Sequence, residues 1–361
     1  MFNDAPDRRF FSIRPPAALI FSVLVFLAGA VVALQYKEKQ NQCRPSGSEA
    51  LPRGIVQDKS NFEMVQMESL GSDPERKETG RPAKSLLAVP VGIKQKAVVD
   101  RLVSKFPAAN FTVMLFHYDG VVDGWRDLEW SDRAIHVAAR DQTKWWFAKR
   151  FLHPDLVAEY EHIFLWDEDI GVDSFDPLEY LRIVRREGLE ISQPALDRRS
   201  QIHHRLTARA RQGGDVHRRF YKTKGRGRCD SGSTGPPCAG WVEVMVPVFS
   251  RAAWRCAWHL VQNDLVYGWG IDFKLGYCAQ GDRSRNIGVV DSQFVLHRGI
   301  PTLGGGGAGP VSASASTPAT DRSAVRQRSS TELQVFNRRW KEAVAEDECW
   351  TDPYPTTATN G

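Results

Sequence analysis

No CxxC pair and no zinc-like spacing joins the six cysteines, Cys43, Cys229, Cys238, Cys256, Cys278 and Cys349, which argues against a structural zinc site. No internal repeat is visible, which excludes a solenoid or propeller. Net charge is only +5 over 361 residues, too mild to name a partner. Aromatics are scarce in the one strongly basic stretch, 197–228, where Phe220 and Tyr221 stand among eleven Lys/Arg and two acids. That pattern is a solvated loop or a cationic flap over a polyanion; it lacks the stacking platform of a nucleic-acid binder. Charge is absent altogether from Ala17 to Leu34, eighteen residues in which Ser22 is the polar side chain.

That uncharged run would span ~27 Å as a helix, near the thickness of a thin secretory-pathway bilayer. Arg8, Arg9 and Arg14 precede it, and Lys37 and Lys39 follow. It is expected to be a transmembrane anchor over 17–36, with 1–16 a cytosolic tail and the bulk of the chain luminal. A cleaved signal peptide ending near Ala28-Gly29-Ala30 is the alternative. Residues 37–84 are polar and aperiodic, the composition of a flexible stem, although Ile55, Val56, Phe62 and Met64 could pack on a domain. Asn110-Phe111-Thr112 is an N-glycosylation sequon and fits a lumen. Cys229 and Cys238 flank a Gly/Ser/Pro loop and are the easiest local bridge; fifteen pairings of six cysteines are possible.

From 85 onward apolar runs alternate with helical periodicity. Strands are expected at 86–91, 110–116, 134–138, 162–166, 189–194, 241–249 and 287–298, and helices at 94–106, 144–152, 176–187 and 250–261. This order predicts an α/β domain over 85–301: a mixed, mainly parallel sheet flanked by helices, with the basic insert at 197–228. Residues 302–330 are rich in Gly, Ala, Ser and Thr and read as a disordered linker. Leu333, Phe336, Trp340, Ala343 and Val344 then stripe one face of a helix over 331–350 that docks back on the domain.

The chemistry centres on His162-Ile163-Phe164-Leu165-Trp166-Asp167-Glu168-Asp169, an apolar strand running into three acids. Ligands bind beyond the carboxyl ends of strands in open α/β sheets, and clustered carboxylates need a cation or donors among them. Asp167 and Asp169 are therefore the candidate ligands of Mn²⁺ or Mg²⁺. Asp272, after Gly268-Trp269-Gly270, is a candidate catalytic base or a helix N-cap. His297 is a further candidate metal ligand or a satisfied histidine at a strand end. Lys144 and Lys149 could reach donor phosphates or line a solvated helix face. Asp119 could meet a ribose or base, or turn the chain with Gly120.

The segments FTVMLFHYDG (111–120), RAIHVAARDQTKWWFAKRFLHPD (133–155), IFLWDEDIGV (163–172), GLEISQPALD (188–197), PVFSRAAWRC (247–256), NDLVYGWGIDF (263–273) and GVVDSQFVLHRGIPTLG (288–304) carry a family resemblance. The chain resembles a plant family of single-pass proteins known as a domain of unknown function and described as lysine-ketoglutarate-reductase trans-splicing-related. The basic insert and the Gly/Ser-rich linker depart from that pattern. More broadly, the order of Asp-x-Asp, GWGID and VLH resembles GT-A-type glycosyltransferases. That resemblance implies a GT-A-like fold and a type II Golgi membrane enzyme. It implies that Asp167, Asp169 and His297 hold a divalent cation against a nucleotide-sugar donor. Asp272 would serve an inverting transfer to a glycan or glycoside acceptor. The other readings are a non-catalytic luminal carbohydrate- or nucleotide-sugar-binding protein and, from the family description, a splicing-related factor.

Overall fold

The computed structural model describes residues 15–61, 84–200, 205–210, 214–222, 229–300 and 318–354. It divides into two compact units, Met1–Glu49 and Ala50–Gly361. The first is built on helix α1 (Pro15–Cys43). Side chains are described over 19–34 of this helix, where Leu24, Phe26 and Leu34 are exposed. Among the described residues no helix is long and apolar enough to cross a membrane. Residues 1–14 of the expected tail and 62–83 of the expected stem, with Phe62 and Met64, lie outside the described residues.

In the second unit the elements follow in the order β1 (Ser85–Val91), α2 (Lys96–Val103), β2 (Phe111–His117), β3 (Ile135–Ala138), α3 (Lys144–Phe151), β4 (His162–Leu165), β5 (Ile170–Gly171) and α4 (Pro177–Glu187). Then come β6 (Ile191–Leu196), β7 (Val216–His217), β8 (Val248–Ser250), α5 (Arg251–Leu260), α6 (Arg283–Asn286), β9 (Ile287–His297) and α7 (Pro318–Glu346). They form one sheet in the order β3-β2-β1-β4-β8-β6-β9-β5, with β7 also on β9. The expected mixed α/β class is what the chain adopts. The sheet is mixed, and its longest ladders, β1–β2 and β6–β9, are parallel. β1–β2, β1–β4, β2–β3 and β6–β9 are parallel; β4–β8, β6–β8, β5–β9 and β7–β9 are antiparallel. The reversal starts at β8, which enters between β4 and β6 against both.

Alternation along β1 sets the layers, because successive side chains leave opposite faces of a strand. Leu86 and Ala88 join one core with Phe147 and Ala148 of α3, Trp254 and Trp258 of α5, and Phe336 and Trp340 of α7. Leu87, Val89 and Val91 join the other, with Val99 and Leu102 of α2 and Leu181 and Val184 of α4. The helix ends have local causes. The Asp176 carboxylate accepts the amides of Leu178 and Glu179 at the start of α4, Pro177 fills the first helical position, and Gly188 ends the helix at φ 63°. The hydroxyls of Thr143 and Ser250 cap α3 and α5.

Several boundaries differ from the sequence reading. The strand expected at 241–249 shrinks to β8, because the backbone at 244–247 bonds to a lysine and to the irregular end of β4 instead of a regular ladder: the amides of Leu165 and Asp167 donate to the carbonyls of Pro247 and Met245 at 3.1 and 3.0 Å. The C-terminal helix begins at Pro318, inside the expected linker, where Ala319, Ala324 and several arginines are good helix formers. Residues 50–61 of the expected stem are part of the domain. Leu51 and Ile55 are fully buried, and the Gln57 amide donates to the His259 carbonyl at 2.9 Å. The basic insert is anchored where it is described. Thr207 is buried, His217 Nδ1 lies 2.7 Å from Asp291 Oδ2, and Arg209 stacks on Phe294 at 4.0 Å. Disulfides link Cys229 to Cys238 and Cys256 to Cys278.

Candidate active site

β1, β2, β3 and β4 run parallel, so their carboxyl ends lie along one edge of the sheet. A cleft of about 350 Å³ opens there. Pro90 and Tyr118 come from β1 and the turn after β2, Lys144 and Trp145 from the start of α3, and Asp167, Glu168 and Asp169 from the turn after β4. Glu243 and Met245 come from the irregular segment before β8, Tyr267 and Trp269 from the glycine loop, and His297 from the end of β9. This is the crevice position expected of an α/β sheet.

The three acids have three different partners. Lys144 Nζ lies 2.6 Å from Asp167 Oδ1 and also donates to the carbonyls of Val244 at 2.6 Å and Met245 at 3.4 Å. Burial pushes the Asp167 carboxyl up while the Lys144 ammonium pulls it down; the net direction is up. Glu168 is buried and accepts the Gly92 amide at 2.8 Å and the Tyr118 hydroxyl. Burial lifts its carboxyl to about 8, against those two hydrogen bonds. Asp169 Oδ2 accepts the Ile300 amide at 2.8 Å and lies 3.3 Å from His297 Nε2. Burial pushes this carboxyl up too, but the hydrogen bond and charge of His297 and the Ile300 amide outweigh it, and the net direction is down.

The structure therefore brings Asp167, Asp169, His297 and Lys144 to one cleft and leaves the other candidates out. Lys149 is fully buried on the far side of α3. Its ammonium donates to the carbonyls of Gln57 at 2.6 Å and Trp258 at 3.0 Å and lies 3.4 Å from the Trp258 ring. It ties the stem's end to α5 and cannot reach a phosphate in the cleft. Asp119 is a turn residue: its carboxylate accepts the amides of Ile93 at 2.7 Å and Val121 at 2.9 Å. Asp272 is not among the residues that line the cleft. Burial raises its carboxyl to about 6, against hydrogen bonds from the Phe273 amide and Trp241.

Glu243 is the carboxyl that sequence reasoning passed over. It is 8% exposed, lines the cleft, and accepts the Thr207 hydroxyl at 2.8 Å. Burial raises it to about 7, against that hydrogen bond and the charge of His297. A glutamate inside the apolar run WVEVMV was the available signal, since a buried polar group among such neighbours needs a reason.

The donor chemistry of Asp167, Asp169 and His297 suits a hard divalent cation, but their arrangement does not. Among the described residues no three His, Cys, Asp or Glu side chains form a metal-holding group. Asp167 and Asp169 are engaged separately, one by Lys144 and the other by His297. In this structure Asp167, Asp169 and His297 therefore do not converge as one three-ligand group.

The fold and cleft define an α/β domain with a carboxylate-rich site at the carboxyl edge of its sheet. The chain belongs to the DUF707 family, described as a protein of unknown function, whose model matches residues 42–346. No curated protein sequence matches it. Solved structures similar to it include Staphylococcus aureus TarS 1-349, at 10% identity and a TM-score of 0.37, over 60% of this chain and 60% of that one. The same fragment in complex with UDP matches at 11% identity and 0.36, over 72% and 70%. The mannosyltransferase Ktr4p of S. cerevisiae matches at 10% and 0.25, over 45% and 50%. The chain thus covers less than two thirds of the first of these.

Proposed function

We propose that the chain is a glycosyltransferase of GT-A-like fold that moves a sugar from a nucleotide-sugar donor to a glycan or glycoside acceptor. The observation that carries this reading is the cleft itself: Asp167, Asp169, Glu243, Lys144 and His297 gathered at the carboxyl edge of the sheet, below Tyr267 and the partly exposed Trp269. Its carboxylates can accept sugar hydroxyls, and its aromatic rim suits the apolar face of a pyranose. Residues 17–36 would anchor the protein in the Golgi membrane as a single-pass type II protein with the domain luminal. Two disulfides and the Asn110 sequon favour an oxidising lumen over the nucleus, and so favour an enzyme over a splicing factor. A glycan on Asn110, read as a mass shift removed by endoglycosidase, tests the orientation.

In the proposed reaction an acceptor hydroxyl oxygen bonds to the anomeric carbon. The bond from that carbon to the donor phosphate oxygen breaks, and the hydroxyl proton passes to a carboxylate. Glu243, rather than Asp272, lines the cleft and takes that role. A carboxyl raised to about 7 by burial is a base poised near neutral pH. The test is nucleoside diphosphate release from a panel of nucleotide sugars by the full chain. Release should rise with pH through about 7 and level off, as Glu243 ionises. Glu243→Gln should lower it by about 100-fold or more and remove the rise. Donor binding without release would favour the non-catalytic binding protein; neither binding nor release across the panel would sink both readings.

A further inference from the structure

Lys144 is the first residue of α3, and its ammonium is 2.6 Å from Asp167 Oδ1, 2.6 Å from the Val244 carbonyl and 3.4 Å from the Met245 carbonyl. A lysine has three N–H donors and no acceptor. All three have oxygen partners here, so none is left for a phosphate. The same oxygens, one carboxylate and two carbonyls, are the donor types that hold a hard cation. The side chain is only 10% exposed, so water does not compete freely for the position. Thr143 caps the helix through the Trp146 amide, and its hydroxyl also donates to the Val266 carbonyl, which fixes where α3 begins and where Lys144 points.

We propose that Lys144 is a tethered cation that fills the place a divalent ion would take at Asp167, so that the native cleft works without a metal at that carboxylate. Lys144 is then a positioning residue. It neutralises Asp167 and holds the Val244–Met245 backbone, and with it Glu243, against the cleft. Asp169 lies outside this arrangement, because its oxygen is already claimed by His297 and the Ile300 amide. Only the identity of the anion that the cleft receives rests on the glycosyltransferase reading. The cation exchange at Asp167 does not.

The experiment is a calorimetric Mn²⁺ titration of the full chain, with the metal alone as probe. The native protein should bind Mn²⁺ weakly, and Asp167→Asn should leave that binding unchanged. Lys144→Met should strengthen binding tenfold or more, and the gain should vanish in Lys144→Met/Asp167→Asn. A native Mn²⁺ site that Asp167→Asn abolishes overturns the proposal, as does a folded Lys144→Met with no gain. If Lys144→Met fails to fold, the native and Asp167→Asn titrations decide alone. A second arm measures UDP binding to the native chain with and without EDTA. Binding that survives EDTA supports the tethered cation, and binding that requires Mn²⁺ overturns it while leaving the glycosyltransferase standing. Loss of UDP binding under every condition counts against the glycosyltransferase reading, and the metal titration still judges Lys144.

Discussion

Glu168 shows how one buried carboxyl can fix a cleft without taking part in its chemistry. Its two oxygens accept the Gly92 amide and the Tyr118 hydroxyl, pinning the turns after β1 and β2 to the turn after β4. Burial raises its carboxyl to about 8 in the folded chain, against about 4.3 for a free glutamate. The unfolded chain therefore loses its proton first. The contribution of Glu168 to stability is fully present below about pH 4.3 and is lost as the pH rises towards 8. Glutamine keeps an acceptor for Gly92 and can donate to the Tyr118 oxygen, yet it does not titrate. The stability of the native chain relative to Glu168→Gln should fall by about 2–4 kcal/mol between pH 5 and pH 8. Urea unfolding of both proteins at the two pH values measures it, and a pH-independent difference would remove the account.

Elements set the cleft's other wall. The loop between α5 and α6 carries Gly268 at φ +71°, and a Cβ placed there would run into the Trp145 indole. No side chain fits between that backbone and the indole, and the left-handed conformation adds its own strain. Gly268→Ala should cost about 2–4 kcal/mol and displace Trp145 from the cleft. A urea series followed by tryptophan fluorescence checks both, and a loss below about 1 kcal/mol would show that the loop is not held this way. The glycine pair was legible in GWGID as a shaped loop, but its partner Trp145 was not, because nothing local links residue 145 to residue 268. The same limit explains the lysines. Lys144 and Lys149 look alike on a helix, and only the packing of α3 sends one to the cleft and the other to Gln57 and Trp258. Strands β1 and β4 were readable because both faces are buried and the runs are mostly apolar, and β2 from its apolar run although Thr112, Val113 and Met114 are only half-buried. The strand expected at 241–249 was read too long, because the lysine and the end of β4 claim the backbone that would have extended β8.

At the scale of the whole molecule, the segment 50–61 behaves as part of the domain and not as a spacer. Leu51 and Ile55 are fully buried in the core shared by α3, α5 and α7. Gln262 Nε2 donates to the Ile55 carbonyl at 2.8 Å, the Arg53 amide reaches Asp347 at 2.6 Å, and Trp350 Nε1 donates to the Ala50 carbonyl at 3.1 Å. The segment thus joins the end of α5 to the residues that follow α7, and Lys149 Nζ donates to the Gln57 carbonyl at the same place. The apolar residues Ile55 and Val56 hinted at this in sequence, but scattered apolar residues in a polar stretch give no periodicity; their place is visible only beside α5 and α7. A chain beginning at residue 84 should therefore be less stable than one beginning at residue 50. Removing two fully buried aliphatic side chains alone forfeits about 3–6 kcal/mol, a large share of the 5–15 kcal/mol that holds an ordinary domain folded. Parallel thermal melts of the two chains test this. Equal melting temperatures would mean that 50–61 is carried by the domain without supporting it, and that Lys149 is buried for some purpose other than fastening the segment down.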